Sequence, residues 1–280
     1  MIPNEYHFIF ALQPQREPFH ISHYLCLASC IETNEPEAVH LYYCYEPFGE
    51  WWERIKDRLT LHPIEGEQFV LSSPAYDRHI EGLIIKYHQL LYAHQSDFIR
   101  LKVLIERGGV YADIDTLFVN PLPQELFSRS FVVAEEAPVL VPGARETQRS
   151  LCNALIMAVA GCEFAKTWLE RMYEVFDGTW SRHSCQILTE LAEQYPGQVH
   201  IAPQSCFYKH PATIEGIRTL LRGLDDDYDG VYSMHLWQHL WWSPHRTDFT
   251  NFHNGLLDEH HIRTVDTTYN IVARRFLPAG

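Results

Sequence analysis

At 280 residues, with 46% apolar and 13% aromatic side chains, the chain can bury a sizeable core and is too apolar for disorder. Its formal charge of -14, with no Lys/Arg stripe, excludes binding along a nucleic-acid duplex and electrostatic docking on anionic lipid. A small phosphorylated ligand needs only local cations or a metal, so that class stays open. The start, Met1-Ile-Pro-Asn-Glu-Tyr6, lacks the basic flank and apolar stretch of a signal peptide, and no apolar run has membrane-span length. Seven cysteines form no C-x-x-C pair. Free thiols in a reducing, cytoplasmic setting are therefore expected, without disulfides or a zinc site.

In chain order, residues 5–12 read as a buried strand and 20–33 as a helix with Cys26 and Cys30 on one face. Residues 38–45 are β-branched and aromatic, a second strand; a short helix over 47–58 leads to a third strand at 59–64. Strands alternating with helices at this spacing predict βαβ units and a mostly parallel sheet. Helices at 79–94 and 96–107 follow, the second stopped by Gly108-Gly109. Next come a strand at 110–114, a turn at 120–123, a strand at 131–135 and a loop to 149. The pattern then predicts a strand at 155–160, helices at 163–176 and 183–194, and a short strand at 199–202. A helix at 214–222 and an apolar run at 231–237 close the readable part; the tail from 243 is unassigned.

The informative stretch is 96–122. Asp113-x-Asp115 at a strand end would point two carboxylates the same way, with Ile114 toward the core, because strand side chains alternate. Such a pair suits a hard divalent cation bound together with a phosphate-bearing ligand. The motif alone decides nothing, since Asp225, Asp227 and Asp229 repeat it. That later run opens like an EF-hand loop, yet its twelfth position is Leu236 rather than Glu, so a solvated acidic turn is expected. Context separates the two. Asp97 and Arg100, three apart on one helix face, precede the glycine pair and the acid-bearing strand. The plainer alternative makes Asp97 a helix cap and Arg100 its surface partner. Seventeen histidines invite a metal-hydrolase reading, but no H-E-x-x-H spacing exists, and most are expected to be surface or core imidazoles.

S-D-x-x-R followed by L-x-x-x-G-G-V-Y-x-D-x-D closely resembles the DXD sugar-binding region of glycosyltransferase family 32, and is similar to the glucosylating domains of large clostridial toxins. Three other segments fit in order. His7-Phe-Ile-Phe10 resembles the first strand (H-x-I-W), Cys185-Gln-Ile-Leu-Thr resembles the G-P-x-x-L-T helix, and His235-Leu-Trp237 with Trp241 resembles the closing H-x-W region. The departures are Phe10 for Trp and Cys185-Gln186 for Gly-Pro.

The resemblance implies an α/β fold of GT-A type, with a Rossmann-like, mostly parallel central sheet flanked by helices, forming one domain over 1–280. Residues 5–122 would bind the nucleotide sugar, and 123–242 would form the acceptor side and the closing diphosphate region. Phe10 would lie against the base with Ile9 beside it. Asp97 and Arg100 would bond the donor sugar and its phosphate, with Tyr111 in support and Asn153 at a sugar hydroxyl. Asp113 would contact the ribose or the transferred sugar and join the metal. Asp115 would be the direct metal ligand and His235 a further ligand or a diphosphate contact, with Trp237 or Trp241 closing over the β-phosphate. The implied cofactor is Mn²⁺, or Mg²⁺ in its place. The implied chemistry is retaining transfer of a hexose from a UDP-sugar, or alternatively a GDP-sugar, to a glycan or small glycoside, with no nucleic-acid partner. A toxin-like transferase acting on protein side chains, a non-catalytic sugar-nucleotide-binding module and a metal-dependent phosphohydrolase are the alternatives.

Overall fold

A computed structural model describes residues 1–65, 91–139, 145–241 and 256–279. The first βαβ units form as their patterns require. β1 (Glu5–Ile9) and β2 (Ala38–Tyr43) are joined by α1 (Ile21–Asn34), and α2 (Glu50–Ile55) leads to β3 (Thr60–Pro63). α3 (Leu91–Arg107) then runs into β4 (Gly109–Ala112), and β5 (Thr116–Phe118) and α4 (Gln124–Phe127) follow. β6 (Phe131–Val139) and β7 (Gln148–Ala158) form an antiparallel pair, after which α5 (Glu163–Val175) leads to a π-helical turn over 182–186 and α6 (Ile187–Gln194). The remainder is β8 (His200–Ala202), α7 (Gln204–Tyr208), α8 (Ile214–Arg222), β9 (Ser233–His235), α9 (Gln238–Trp241), α10 (Glu259–Thr264) and α11 (Thr268–Ala273).

Seven strands make one sheet in the order β3-β2-β1-β4-β7-β6-β8, while β5 and β9 pair separately. Neighbours are parallel except where β7 meets β4 and β6. The expected mostly parallel α/β sheet is therefore present. Strand alternation splits the core in two. Tyr6, Phe8, Val110 and Ala112 face an apolar cluster with α1, α2, α7 and α8, whereas Ile9 and Tyr111 face a second one with α3, α5 and α6. Chain order reverses between β1 and β4, the crevice where ligands bind in open α/β sheets. Phe10 and Asp113 are the first residues beyond those two strand ends.

Several boundaries differ from the sequence reading. β4 stops at Ala112, so Asp113 and Asp115 are off the strand. β7 begins at Gln148, inside the expected loop, because it pairs with β6 across Glu136 and Ser150. The helix expected from 183 starts as a π-turn. The unassigned tail supplies α10 and α11, whose Ile262, Tyr269 and Val272 join the first core. The helix expected over 79–94 lies mostly outside the described residues. All seven cysteines are free, and among the described residues no helix is long and apolar enough to cross a membrane.

Candidate active site at the carboxyl end of β4

The Gly108-Gly109 turn sets the geometry. Gly108 and Gly109 have φ of 71° and 101°, and a Cβ on Gly109 would lie 2.5 Å from the Glu5 carbonyl oxygen. Only glycine lets the chain leave α3 and enter the sheet beside β1 this closely. The tight turn lays α3 on β4, so the Arg100 guanidinium stacks over the Tyr111 ring at 4.5 Å.

Arg100 is 5% exposed and organises a buried polar network. Its Nη1 donates to the Asn153 carbonyl at 2.6 Å and lies 3.3 Å from Asp113 Oδ1; its Nη2 lies 3.1 Å from Asp97 Oδ1. Tyr111 donates its phenol hydrogen to Asp113 Oδ1 at 2.6 Å. Asp97 also receives Asn153 Nδ2 at 2.7 Å on Oδ1 and His183 Nε2 at 2.9 Å on Oδ2. Burial by itself raises the Asp97 pKa, but the Arg100 charge and the His183 hydrogen bond outweigh it and hold the carboxyl below its usual range.

A turn after β4, closed by Thr116 N–H on the Asp113 carbonyl at 3.0 Å, brings Asp113 and Asp115 together. Their juxtaposition therefore comes from this turn and not from strand alternation. Ile114 between them is half-buried against the first core. β9 pairs antiparallel to β5 with His235 opposite Thr116, which delivers the imidazole to the carboxylates. His235 Nε2 lies 3.2 Å from Asp115 Oδ1 and 3.5 Å from Asp113 Oδ2. Asp115 Oδ2 accepts the Gln238 backbone N–H at 2.8 Å. Gln238 also ties α1 in, donating Nε2 to Ser22 Oγ at 2.9 Å and facing His23 Nε2 with Oε1 at 3.1 Å.

Burial alone would lower the His235 pKa; Asp115, with Asp113, overrides it and pushes the ring up to about 10. Burial would raise Asp115, and the same imidazole pulls it well below the carboxylate range instead. Among the described residues, Asp113, Asp115 and His235 are the one group of three or more His, Cys, Asp or Glu side chains arranged to hold a metal, with ligand atoms within 4.8 Å of one another. Two carboxylates and an imidazole suit a divalent cation. The fit has a direct sign: His235 Nε2 is buried between two carboxylates without a well-aligned hydrogen bond. Its Nδ1 lies 3.1 Å from the Trp237 backbone nitrogen, and ligation through Nε2 requires the ring to give up its Nε2 proton. Asp113 is the open member, its side chain 27% exposed against 4% for His235.

The fold brings together Asp97, Arg100, Tyr111, Asp113, Asp115, Asn153 and His235. Asp97 and Arg100 are neither a cap nor a surface pair, because α3 starts earlier, at Leu91, and buries both. Their polar atoms, like both ends of the Asn153 amide, are taken up by protein partners, with Cys185 Sγ 3.7 Å from Asn153 Oδ1. These residues thus hold Asp113 in place. Phe10 is half-buried, edge-on to Phe19 at 5.2 Å and tilted on His23 at 4.7 Å. Ile9 points into the second core and leaves only backbone toward the crevice. Trp237 departs from its expected place over a phosphate: it is buried, and its Nε1 donates to the His210 carbonyl at 2.9 Å. Trp241 ends α9, and its side chain lies outside the described residues. The acidic run at 225–229 is the expected surface turn, Asp225 pairing with Lys209 at 2.9 Å and His210 at 3.2 Å. Sequence reasoning missed His183 and Gln238, whose partners Asp97 and Asp115 lie 86 and 123 positions away.

Residues 33–132 match the glycosyltransferase sugar-binding region containing the DXD motif. The match includes Asp97, Arg100 and the Asp113–Asp115 pair. It is also similar to Glucan organizing enzyme 1 of Cryptococcus neoformans var. grubii, with 26% identity over 250 residues covering 86% of this chain. The chain spans 63% of that relative's length. Solved structures similar to it include PaToxG Glycosyltransferase, with a TM-score of 0.46 and 15% identity over 70% of this chain and 71% of that one. Another is the apo-form glycosyltransferase GlyE of Streptococcus pneumoniae TIGR4, with a TM-score of 0.48 and 10% identity over 98% of this chain and 63% of that one.

Proposed function

We propose that the protein is a metal-dependent, retaining glycosyltransferase that moves a hexose from a UDP-sugar to a glycan or small glycoside. The observation that carries this reading is the Asp113–Asp115–His235 cluster at the β1/β4 crevice, whose two carboxylates fall within the segment that matches the DXD sugar-binding region. The name of the fungal relative supports a glycan as acceptor. Mn²⁺, with Mg²⁺ as substitute, is the cation the donor set favours, held by Asp115 and Asp113 with His235 as third ligand. It would supply electrostatic stabilisation of the diphosphate leaving group.

The rest is done by the chain's own residues. Asp115, fixed by the Gln238 N–H, presents one oxygen to the centre of the cluster. Asp113, fixed through Oδ1 by Tyr111 and Arg100, keeps Oδ2 toward His235 and the open side, where the donor's ribose or transferred sugar would lie. Asp97, His183 and Asn153 orient Arg100, and Arg100 lends positive potential to a site about to receive a diphosphate. Phe10 offers ring surface at the end of β1 for the base. Retention is assigned to front-face substitution, since among the described residues no side chain is placed as a covalent nucleophile.

A panel of nucleotide sugars incubated with Mn²⁺ and oligosaccharide acceptors tests the reading. Release of UDP, with an α-linked donor giving an α-linked product, is the expected result. Inversion at the anomeric carbon would remove the retaining mechanism. Cleavage between the phosphates would identify a hydrolase, and binding without turnover a non-catalytic module.

A further inference from the structure

Glu135 and Glu136 are adjacent on β6 and sit in opposite surroundings. Glu135 is partly exposed and paired with Arg149, whose Nε and Nη2 reach its Oε1 at 2.8 and 2.6 Å. Glu136 faces the other side of the sheet, with Val132 and Ala134, toward the first core. Its Oε1 accepts the Ser150 hydroxyl at 2.6 Å, and the thiols of Cys152 and Cys185 are its other neighbours. Among the described residues, no Lys, Arg or His comes within ion-pair distance of it. Burial raises its pKa, and the Ser150 and Cys152 hydrogen bonds, with the more distant His235 charge, do not cancel that rise. A partly buried carboxylate without a counter-ion costs stability and is a mark of functional sites.

Its position says which ligand it meets. Cys185 links Glu136 to the network, because the same thiol reaches Asn153 Oδ1 at 3.7 Å, and Asn153 Nδ2 reaches Asp97 at 2.7 Å. Glu136 thus borders the crevice across the Cys185–Asn153 pair from Asp97 and Arg100, outside the metal cluster. It lies where the strand pairing slips, between Glu136 and Val139. A carboxylate there repels a diphosphate and has no cation to bridge to one. It can take O–H groups, having lone pairs beyond the one that Ser150 uses.

We propose that Glu136 accepts a hydrogen bond from a hydroxyl of the carbohydrate acceptor and so helps to determine acceptor specificity. This rests on the transferase reading above. It assigns the acceptor to the polyhydroxylated class and to the β6–β7 side of the crevice.

The test compares wild type with Glu136→Gln, which keeps the shape and can keep the Ser150 contact. With UDP-glucose, Mn²⁺ and a panel of di- and trisaccharide acceptors, KM for the acceptor should rise about tenfold, the scale of a lost charge-assisted hydrogen bond. The Kd for UDP with Mn²⁺, read by calorimetry, should move less than twofold. Glu136→Asp, which keeps the charge and draws it back by one methylene, should give a smaller rise. An unchanged acceptor KM in Glu136→Gln overturns the proposal. So does a parallel loss of UDP affinity, which would place Glu136 with the donor. If the wild type releases no nucleotide from any donor, the transferase reading falls and this proposal with it. That result differs from transfer that persists unaltered in the variant.

Discussion

His7 and Tyr111 are cross-strand neighbours on β1 and β4, yet the buried polar clusters they open onto are kept in opposite charge states. On the β1 side, His7 Nε2 faces the Gly108 carbonyl at 2.9 Å and Nδ1 faces the Tyr42 hydroxyl at 3.3 Å. His40 stacks on His7 at 4.9 Å, with Nδ1 2.9 Å from His62 Nε2 and Nε2 3.2 Å from Glu5. One hydrogen per ring satisfies all these contacts, so the rings pack as neutral imidazoles. Burial, with His40 adding to it, lowers His7 to about 3. On the β4 side, burial is as deep, but Arg100 sits between Asp97 and Asp113 and Asp97 stays ionised. Burial discharges a titratable group unless a fixed counter-charge stands beside it. That one arginine separates a core filler from a buried site that keeps its charge.

The comparison breaks most visibly at the Asp113–Asp115–His235 cluster. Asp115→Asn should reduce turnover by at least about a thousandfold and weaken Mn²⁺-dependent UDP binding, with the urea midpoint near wild type. Unchanged turnover would remove the central claim. Arg100→Met should cost about 3–5 kcal/mol, because it strands buried carboxylates without their cation. Chemical denaturation reads this, and a loss under 1 kcal/mol would show that Arg100 does not separate the two regions.

The histidine side should reveal itself by pH. His7 titrates below its ordinary 6.5 in the folded state, so the unfolded chain takes up the proton first. Stability should then fall as pH drops from about 6.5 toward 3, by on the order of 4 kcal/mol for this ring. His7→Gln should flatten that slope, and an equally steep slope in the variant would contradict the assignment. Tyr111→Phe is the mildest probe. Losing the hydrogen bond to Asp113 should cost about 1 kcal/mol and a few-fold in kcat.

Much of this was readable from sequence because local chemistry made it so. Alternation and turn residues mark β1, α1, β2 and α8, and Gly108-Gly109 marks the end of α3. The paired carboxylates were found for a partly mistaken reason: a turn, not a strand, aligns Asp113 with Asp115. Long-range partners were hidden. Nothing near His183 or Gln238 in sequence shows that one holds Asp97 and the other Asp115. β7 was read short because Gln148, Arg149 and Ser150 look like loop residues until β6 supplies their ladder. The tail was illegible because its helices span only six residues each and depend on tertiary burial.

One backbone angle has a further consequence. Trp237 adopts a left-handed conformation, φ 53°, which a bulky side chain rarely tolerates and which costs on the order of 1–2 kcal/mol. The indole, bolted to the His210 carbonyl and tilted against Tyr208 at 5.7 Å, holds the chain there against its preference. The sharp corner is what aims the next N–H, that of Gln238, at Asp115. The carboxylate cluster is thereby tensioned from behind: α7 and the residues after it fix the reach of Asp115.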